Sequence, residues 1–165
     1  MQAATLIKQF CDIRDFMLRI RMQLRFGRLS RAPLQVLRLE RTGSHAACDW
    51  IARSEDPWDK SLPSGIGERN ASLQALEDAI SIRELLFCAL RDISTATIRV
   101  YRKCADGSRE LIIVGNVTRS QEFLYRVHSH VMQAKLCGFQ FFLNGGTLMA
   151  FEIDDAGGQA RLFVQ

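Results

Sequence analysis

Apolar residues recur at alternating steps of four and three near the start of the chain, a spacing typical of one face of an α-helix. The members of this stripe are Leu6, Phe10, Ile13, Met17, Ile20 and Leu24. The pattern predicts a helix over residues 4–26, ended by Gly27. Other apolar residues lie off the stripe, among them Phe16, Leu18 and Met22. A helix that is apolar on more than one side is expected to contact both its own domain and a second chain.

Alternating and β-branched segments later in the chain predict three β-hairpins. Their strands cover residues 34–41 with 47–52, 95–102 with 110–118, and 139–143 with 147–153. The turn of the second hairpin is Asp106-Gly107, a dipeptide that favours two-residue turns. A last strand is expected over 160–164.

Two further helices are predicted between these hairpins. One runs over residues 72–90, with Asn70 or Ser72 as its N-cap. The other spans residues 121–137 and ends at Gly138, which can adopt the left-handed conformation that stops a helix.

The order of elements is helix, hairpin, helix, hairpin, helix, hairpin and strand. Hairpins supply antiparallel strand pairs, and the two later helices can cover one face of the resulting sheet. We therefore predict an α+β fold with an antiparallel sheet and an N-terminal amphipathic helix. Residues 1–27 form that basic helix and residues 34–165 the α+β domain, and the two are expected to pack as one unit.

Positive charge is concentrated at the start of the chain. Residues 1–41 hold nine basic and three acidic side chains, a balance of +6. The other 124 residues hold 13 basic and 15 acidic ones, a balance of −2, which together give the net charge of +4. A basic amphipathic helix is typical of chains that bind another helix, an acidic protein surface, a nucleic acid or an anionic membrane.

Composition narrows the class of protein further. Five singly spaced cysteines indicate reduced thiols rather than a disulfide framework. The first residues lack a signal-peptide pattern, and the longest apolar runs are too short to span a bilayer. We therefore expect a soluble cytoplasmic protein. No cofactor motif or catalytic signature accompanies these features, so no cofactor and no metal site are predicted.

The first helix is the leading candidate for a contact surface. We predict a homo-oligomer, or docking of another protein, through its stripe. The interface residues would be Phe10, Ile13, Met17, Ile20 and Leu24. The alternative is that the stripe packs on the sheet of its own chain, as most amphipathic helices in compact domains do.

The second candidate is the long segment between residues 53 and 70, which is interrupted by prolines and glycines. It carries Trp58 with Asp56 and Asp59 on either side, an aromatic group flanked by carboxylates that can anchor a ligand or a partner. We expect instead that Trp58 is buried and pins the loop to the body of the protein, with the acids left in water.

Weaker signals lie in the basic linker and in the histidines. Arg25, Arg28 and Arg31 can contact a polyanion, but no base-reading element accompanies them, so nucleic-acid binding is disfavoured and would be non-specific. His128 and His130 would point to opposite sides of a helix and so cannot share a metal.

Together these features predict a non-enzymatic interaction or regulatory module that self-associates. A small enzyme or ligand-binding domain with its site near residues 53–70 is the alternative from a different class, and non-specific nucleic-acid binding through the N-terminal arginines is a weaker one.

Overall fold

The computed structural model describes residues 2–119 and 126–152. Within these ranges the α-helices are α1 (Gln2–Gln23), α2 (Ile66–Ala89) and α3 (His130–Leu136), and a 3-10 helix covers Pro57–Ser61. The strands are β1 (Gln35–Thr42), β2 (His45–Ile51), β3 (Thr95–Lys103), β4 (Arg109–Thr118), β5 (Phe139–Gln140), β6 (Leu143–Asn144) and β7 (Thr147–Leu148). The predicted α+β class with an N-terminal helix is confirmed.

The main sheet contains five strands in the order β1-β2-β3-β4-β5. The hairpins β1–β2 and β3–β4 are antiparallel, as predicted, but β2 and β3 run parallel. The sheet is therefore mixed rather than wholly antiparallel. The reason lies in α2, because a helix of 24 residues carries the chain back to the end of the sheet at which β2 began.

Helix α2 begins earlier than its sequence pattern predicts. Its N-cap position is Gly65, in the left-handed conformation with φ of 86°, and neither Asn70 nor Ser72 caps it. Both predicted caps have other partners, since the Asn70 amide donates to Asp59 and the Ser72 hydroxyl accepts from the Leu148 backbone N–H.

Helix α3 is shorter than predicted at its N-terminal end. Ser129 is its N-cap and accepts from the Met132 N–H, so residues 127–129 precede the helix, while 120–125 lie outside the described residues. Gly138 follows with φ of 94°, the left-handed stop that the sequence predicted.

The third hairpin is divided between two sheets. β5 joins the main sheet beside β4, whereas β6 and β7 form a short separate hairpin over Gly145-Gly146. The predicted strand over 160–164 lies outside the described residues.

The core lies between the helices and one face of the sheet. β2 and β3 contribute fully buried Trp50, Ile98 and Val100, and the helices contribute Phe16 from α1 and Leu86 from α2. One face of α1 therefore belongs to the core of its own chain.

Candidate interaction surface

The inner face of α1, defined here by Phe16, Ile20, Met17 and Leu24, packs on its own chain. Phe16 is 0% exposed and Ile20 is 6% exposed, while Met17 and Leu24 are partly buried against the same core. Three of the predicted interface residues thus face inward. Of the other two, Ile13 is half-buried and Phe10 is 71% exposed.

Polar contacts hold α1 against three other parts of the chain. The Lys8 ammonium lies 2.6 Å from Asp92, and the Arg19 guanidinium donates to the Cys88 thiol at 3.4 Å. On the sheet side, Arg41 of β1 lies 3.7 Å from Asp12. These contacts orient the helix, so the side that faces solvent is fixed.

The solvent side of α1 is apolar and basic. At 100° per residue its members lie within about 60° of the direction of Ile7. We call them the outer face: Ile7, Phe10, Cys11, Arg14, Leu18, Arg21 and Met22, all exposed. Met22 is 81% exposed, and Phe26, just beyond the helix, is 60% exposed. Large apolar side chains clustered on one exposed surface are typical of contact sites.

The basic residues near the N-terminus divide into two groups. Five of them pair with acids, as Lys8 does with Asp92 and Arg28 does with Glu77 of α2; the other pairs are Arg19–Asp15, Arg38–Glu40 and Arg41–Asp12. The other four form no ion pair within the described part of the chain, and these are Arg14, Arg21, Arg25 and Arg31. Their charge remains available to a partner.

A buried polar network fixes the end of α1 and the linker after it. The Arg53 guanidinium donates to Asp78 of α2 at 2.8 Å, to the Ala32 carbonyl at 2.8 Å and to the Leu24 carbonyl. Gln74 donates to the same aspartate at 3.0 Å. Burial raises the pKa of the Asp78 carboxyl, while the charge and hydrogen bond of Arg53 and the hydrogen bond from Gln74 oppose that rise.

This network was not predicted from the sequence, although the position of Asp78 on α2 is a signal for it. Asp78 follows buried Ala75 by three residues and precedes buried Ile82 by four, so it occupies a core-facing position of α2. A charged residue at such a position needs a buried partner.

The segment after β2 is held by Asp56 rather than by Trp58. The Asp56 carboxylate accepts from the Arg31 N–H and the Trp58 N–H, both at 3.0 Å. These two backbone hydrogen bonds keep the pKa of Asp56 below its ordinary value. The Trp58 side chain is 79% exposed, so the expectation that its burial pins the loop is wrong.

Residues of two predicted sites, the basic linker and the loop around Trp58, lie together at this segment. Arg28 and Arg31 from the linker line a groove of about 420 Å³ with Trp58 and Asp59. Arg25 is elsewhere, with its guanidinium over the Phe26 ring. Because Arg28 pairs with Glu77 and the Asp56 carboxylate is used inside the loop, Arg31 and Trp58 are the groups most available to a ligand here.

A larger cleft of about 750 Å³ lies at the carboxyl ends of the parallel strands β2 and β3. It is lined by Ser54 and Lys60 from the loop, Glu68 and Ser72 from α2, and Lys103 from β3, among others. Clefts at the carboxyl ends of parallel strands are common ligand sites. Trp58 does not line this cleft.

No metal centre is evident in the described residues. They contain no group of three or more metal-ligating side chains. His128 is exposed ahead of α3, and His130 lies 3.2 Å from Glu77. None of the described helices has the length and apolar character needed to cross a bilayer.

No protein-family model matches the chain, and comparisons with curated proteins and with solved structures give no match either.

Proposed function

We propose that the chain is a non-enzymatic interaction module and that the outer face of α1 is its docking surface. The observation that carries the proposal is the contrast between the two sides of one helix. Phe16 and Ile20 are buried in the chain itself, whereas Phe10 and Met22 are 71% and 81% exposed. Contacts of Lys8, Arg19 and Arg41 fix the orientation of α1, so these apolar side chains stay in solvent. Covering them with a partner removes apolar surface from water, which is favourable.

Self-association is one form of this proposal, and a different protein partner is the other. Both would use the outer face, since the inner face is occupied within the chain.

Photo-crosslinking from the outer face tests the proposal. The photoreactive residue p-benzoylphenylalanine replaces Leu18, and a matched variant carries it at Arg109, an exposed position of β4 far along the chain. In the cells that naturally produce the protein, we expect discrete adducts from position 18 and none from position 109. An adduct of twice 18.7 kDa would indicate self-association, and another mass would indicate a different protein. Equal labelling from both positions, or none from position 18, would contradict the proposal.

Ligand binding in the 750 Å³ cleft is a second candidate, favoured by the position of this cleft at the carboxyl ends of β2 and β3. Replacing Ala71, which lines the cleft, with Trp would fill part of it. A metabolite that raises the melting temperature of the wild type but not of Ala71→Trp would support a ligand site. The absence of any such metabolite in a broad panel would count against it.

A further inference from the structure

We infer that the occupant of the outer face is an acidic amphipathic helix of a different protein. This inference rests on the proposed function, because it names the chemistry of the partner at that same surface. It is carried by the arrangement of charge among the exposed apolar side chains of α1.

The outer face carries positive charge and no negative charge. Arg14 and Arg21 are exposed on it, and Arg25 follows at its C-terminal end. The acids of α1 are Asp12 and Asp15, and both are directed to other cations, Arg41 and Arg19. A partner therefore has to supply the negative charge, since complementary potentials favour association.

This arrangement disfavours a second copy of the chain. Two outer faces packed against each other would bring together four arginines, two from each copy, with no acid among them, and Arg25 of each copy would add charge at the ends. In an antiparallel two-fold pair centred on Arg14, each Arg14 would face its own equivalent. Like charges held together in an interface oppose association, so the same apolar surface serves an acidic partner better.

The position of the arginines also disfavours a membrane surface. A helix that lies in a bilayer interface keeps its cations along the edges of the apolar face. Here Arg14 lies between Phe10 and Leu18 along the middle of the face, so inserting these apolar groups would carry its guanidinium into the acyl region. A helix with apolar side chains between its glutamates or aspartates can cover Phe10 and Met22 and pair with the arginines at once.

Peptide binding to the full chain tests this inference with two matched probes. One fluorescein-labelled peptide has the sequence of residues 2–26 and represents a second copy. The other is identical except that Arg14, Arg21 and Arg25 are replaced by Glu. We expect fluorescence anisotropy to show roughly tenfold tighter binding of the acidic peptide than of the unaltered one. This difference in affinity should decrease between about 50 and 200 mM salt, because salt screens the charges.

Reversing the charge of the protein should reverse the preference. The variant Arg14→Glu/Arg21→Glu should bind the unaltered basic peptide more tightly than the acidic one. The control Arg109→Glu/Arg126→Glu changes the net charge by the same amount at exposed positions outside α1 and should keep the wild-type preference. The melting temperatures of both variants show whether the fold is intact.

Several results would overturn the inference. Equal or tighter binding of the unaltered peptide by the wild type would assign the face to a second copy. Binding to phosphatidylserine vesicles with no binding of the acidic peptide would assign it to a membrane, and no binding of either probe would exclude an acidic helix. In each case the crosslinking from position 18 decides separately whether the outer face is a docking surface.

Discussion

Asp78 occupies a position that the helical pattern of α2 otherwise gives to apolar residues. Its buried carboxylate is stabilised by the ion pair with Arg53. Both side chains are almost completely buried, at 2% and 0% exposure. Arg53 also binds the Leu24 and Ala32 carbonyls. One cation therefore ties α2 to the end of α1 and to the linker that leads into β1.

Removing one member of this pair should be more damaging than removing both. We expect Arg53→Met to lower the free energy of unfolding by about 3–5 kcal/mol, because it leaves the Asp78 carboxylate buried without its cation. The double variant Arg53→Met/Asp78→Leu should recover part of that loss, because no unpaired charge remains. Urea unfolding monitored by circular dichroism measures both. A double variant less stable than Arg53→Met would show that the pair is not coupled in this way.

The loop after β2 depends on a different residue. Asp56 accepts two backbone hydrogen bonds, whereas Trp58 next to it is exposed. We expect Asp56→Ala to accelerate trypsin cleavage after Lys60 several-fold, because the loop loses its link to the Arg31 backbone. Trp58→Ala is the matched control and should leave the cleavage rate close to that of the wild type. The account of this loop fails if Trp58→Ala is the variant that is cut faster.

At the scale of elements, α1 has two sides with different roles. The inner face contributes Phe16 to the core, and the outer face leaves Phe10 in solvent. We expect Phe16→Ala to lower the free energy of unfolding by about 3–5 kcal/mol, as large-to-small core substitutions do. Phe10→Ala should change it by no more than about 0.5 kcal/mol. Thermal or urea unfolding compares the two, and a similar loss for both would mean that the outer face is part of the folded core.

The periodic pattern predicts most helices and strands, but it does not show which side of α1 is buried in the core. The stripe through Ile20 and Leu24 predicted the helix, yet Phe16, which lies off that stripe, is the fully buried residue. Apolar residues spread around a helix do not specify which side meets the sheet. That choice depends on distant contacts, such as those of Asp12 with Arg41 and of Lys8 with Asp92.

The parallel pairing of β2 with β3 also cannot be predicted from the local sequence pattern. Each hairpin follows from its own turn and alternation, and both were predicted with their antiparallel pairing. How two hairpins join is decided by the helix between them, which crosses back over the sheet. Because local pattern supplies only the pairings within hairpins, it predicts an antiparallel sheet and misses the parallel pair.

In the folded molecule, the positive charge of the N-terminal segment is partly neutralised, and the remaining charge is unevenly distributed. Its excess charge is visible in the sequence, but the acids that neutralise part of it lie far along the chain, such as Glu77 and Asp92. Only the folded arrangement separates the paired cations from Arg31 in the linker and from Arg14, Arg21 and Arg25 on or next to the outer face. The result is one surface that is both apolar and positively charged, and the proposed docking function rests on that surface.

The inner face of α1 stabilises the fold, and we propose that the outer face binds a protein partner. The most direct measurement combines melting temperature with crosslinking from position 18 in the double variant Phe10→Ser/Met22→Ser. We predict a melting temperature within about 2 °C of the wild type, because both side chains are mostly exposed, together with loss of the crosslinked adducts. A large fall in melting temperature, or adducts of undiminished yield, would contradict the account.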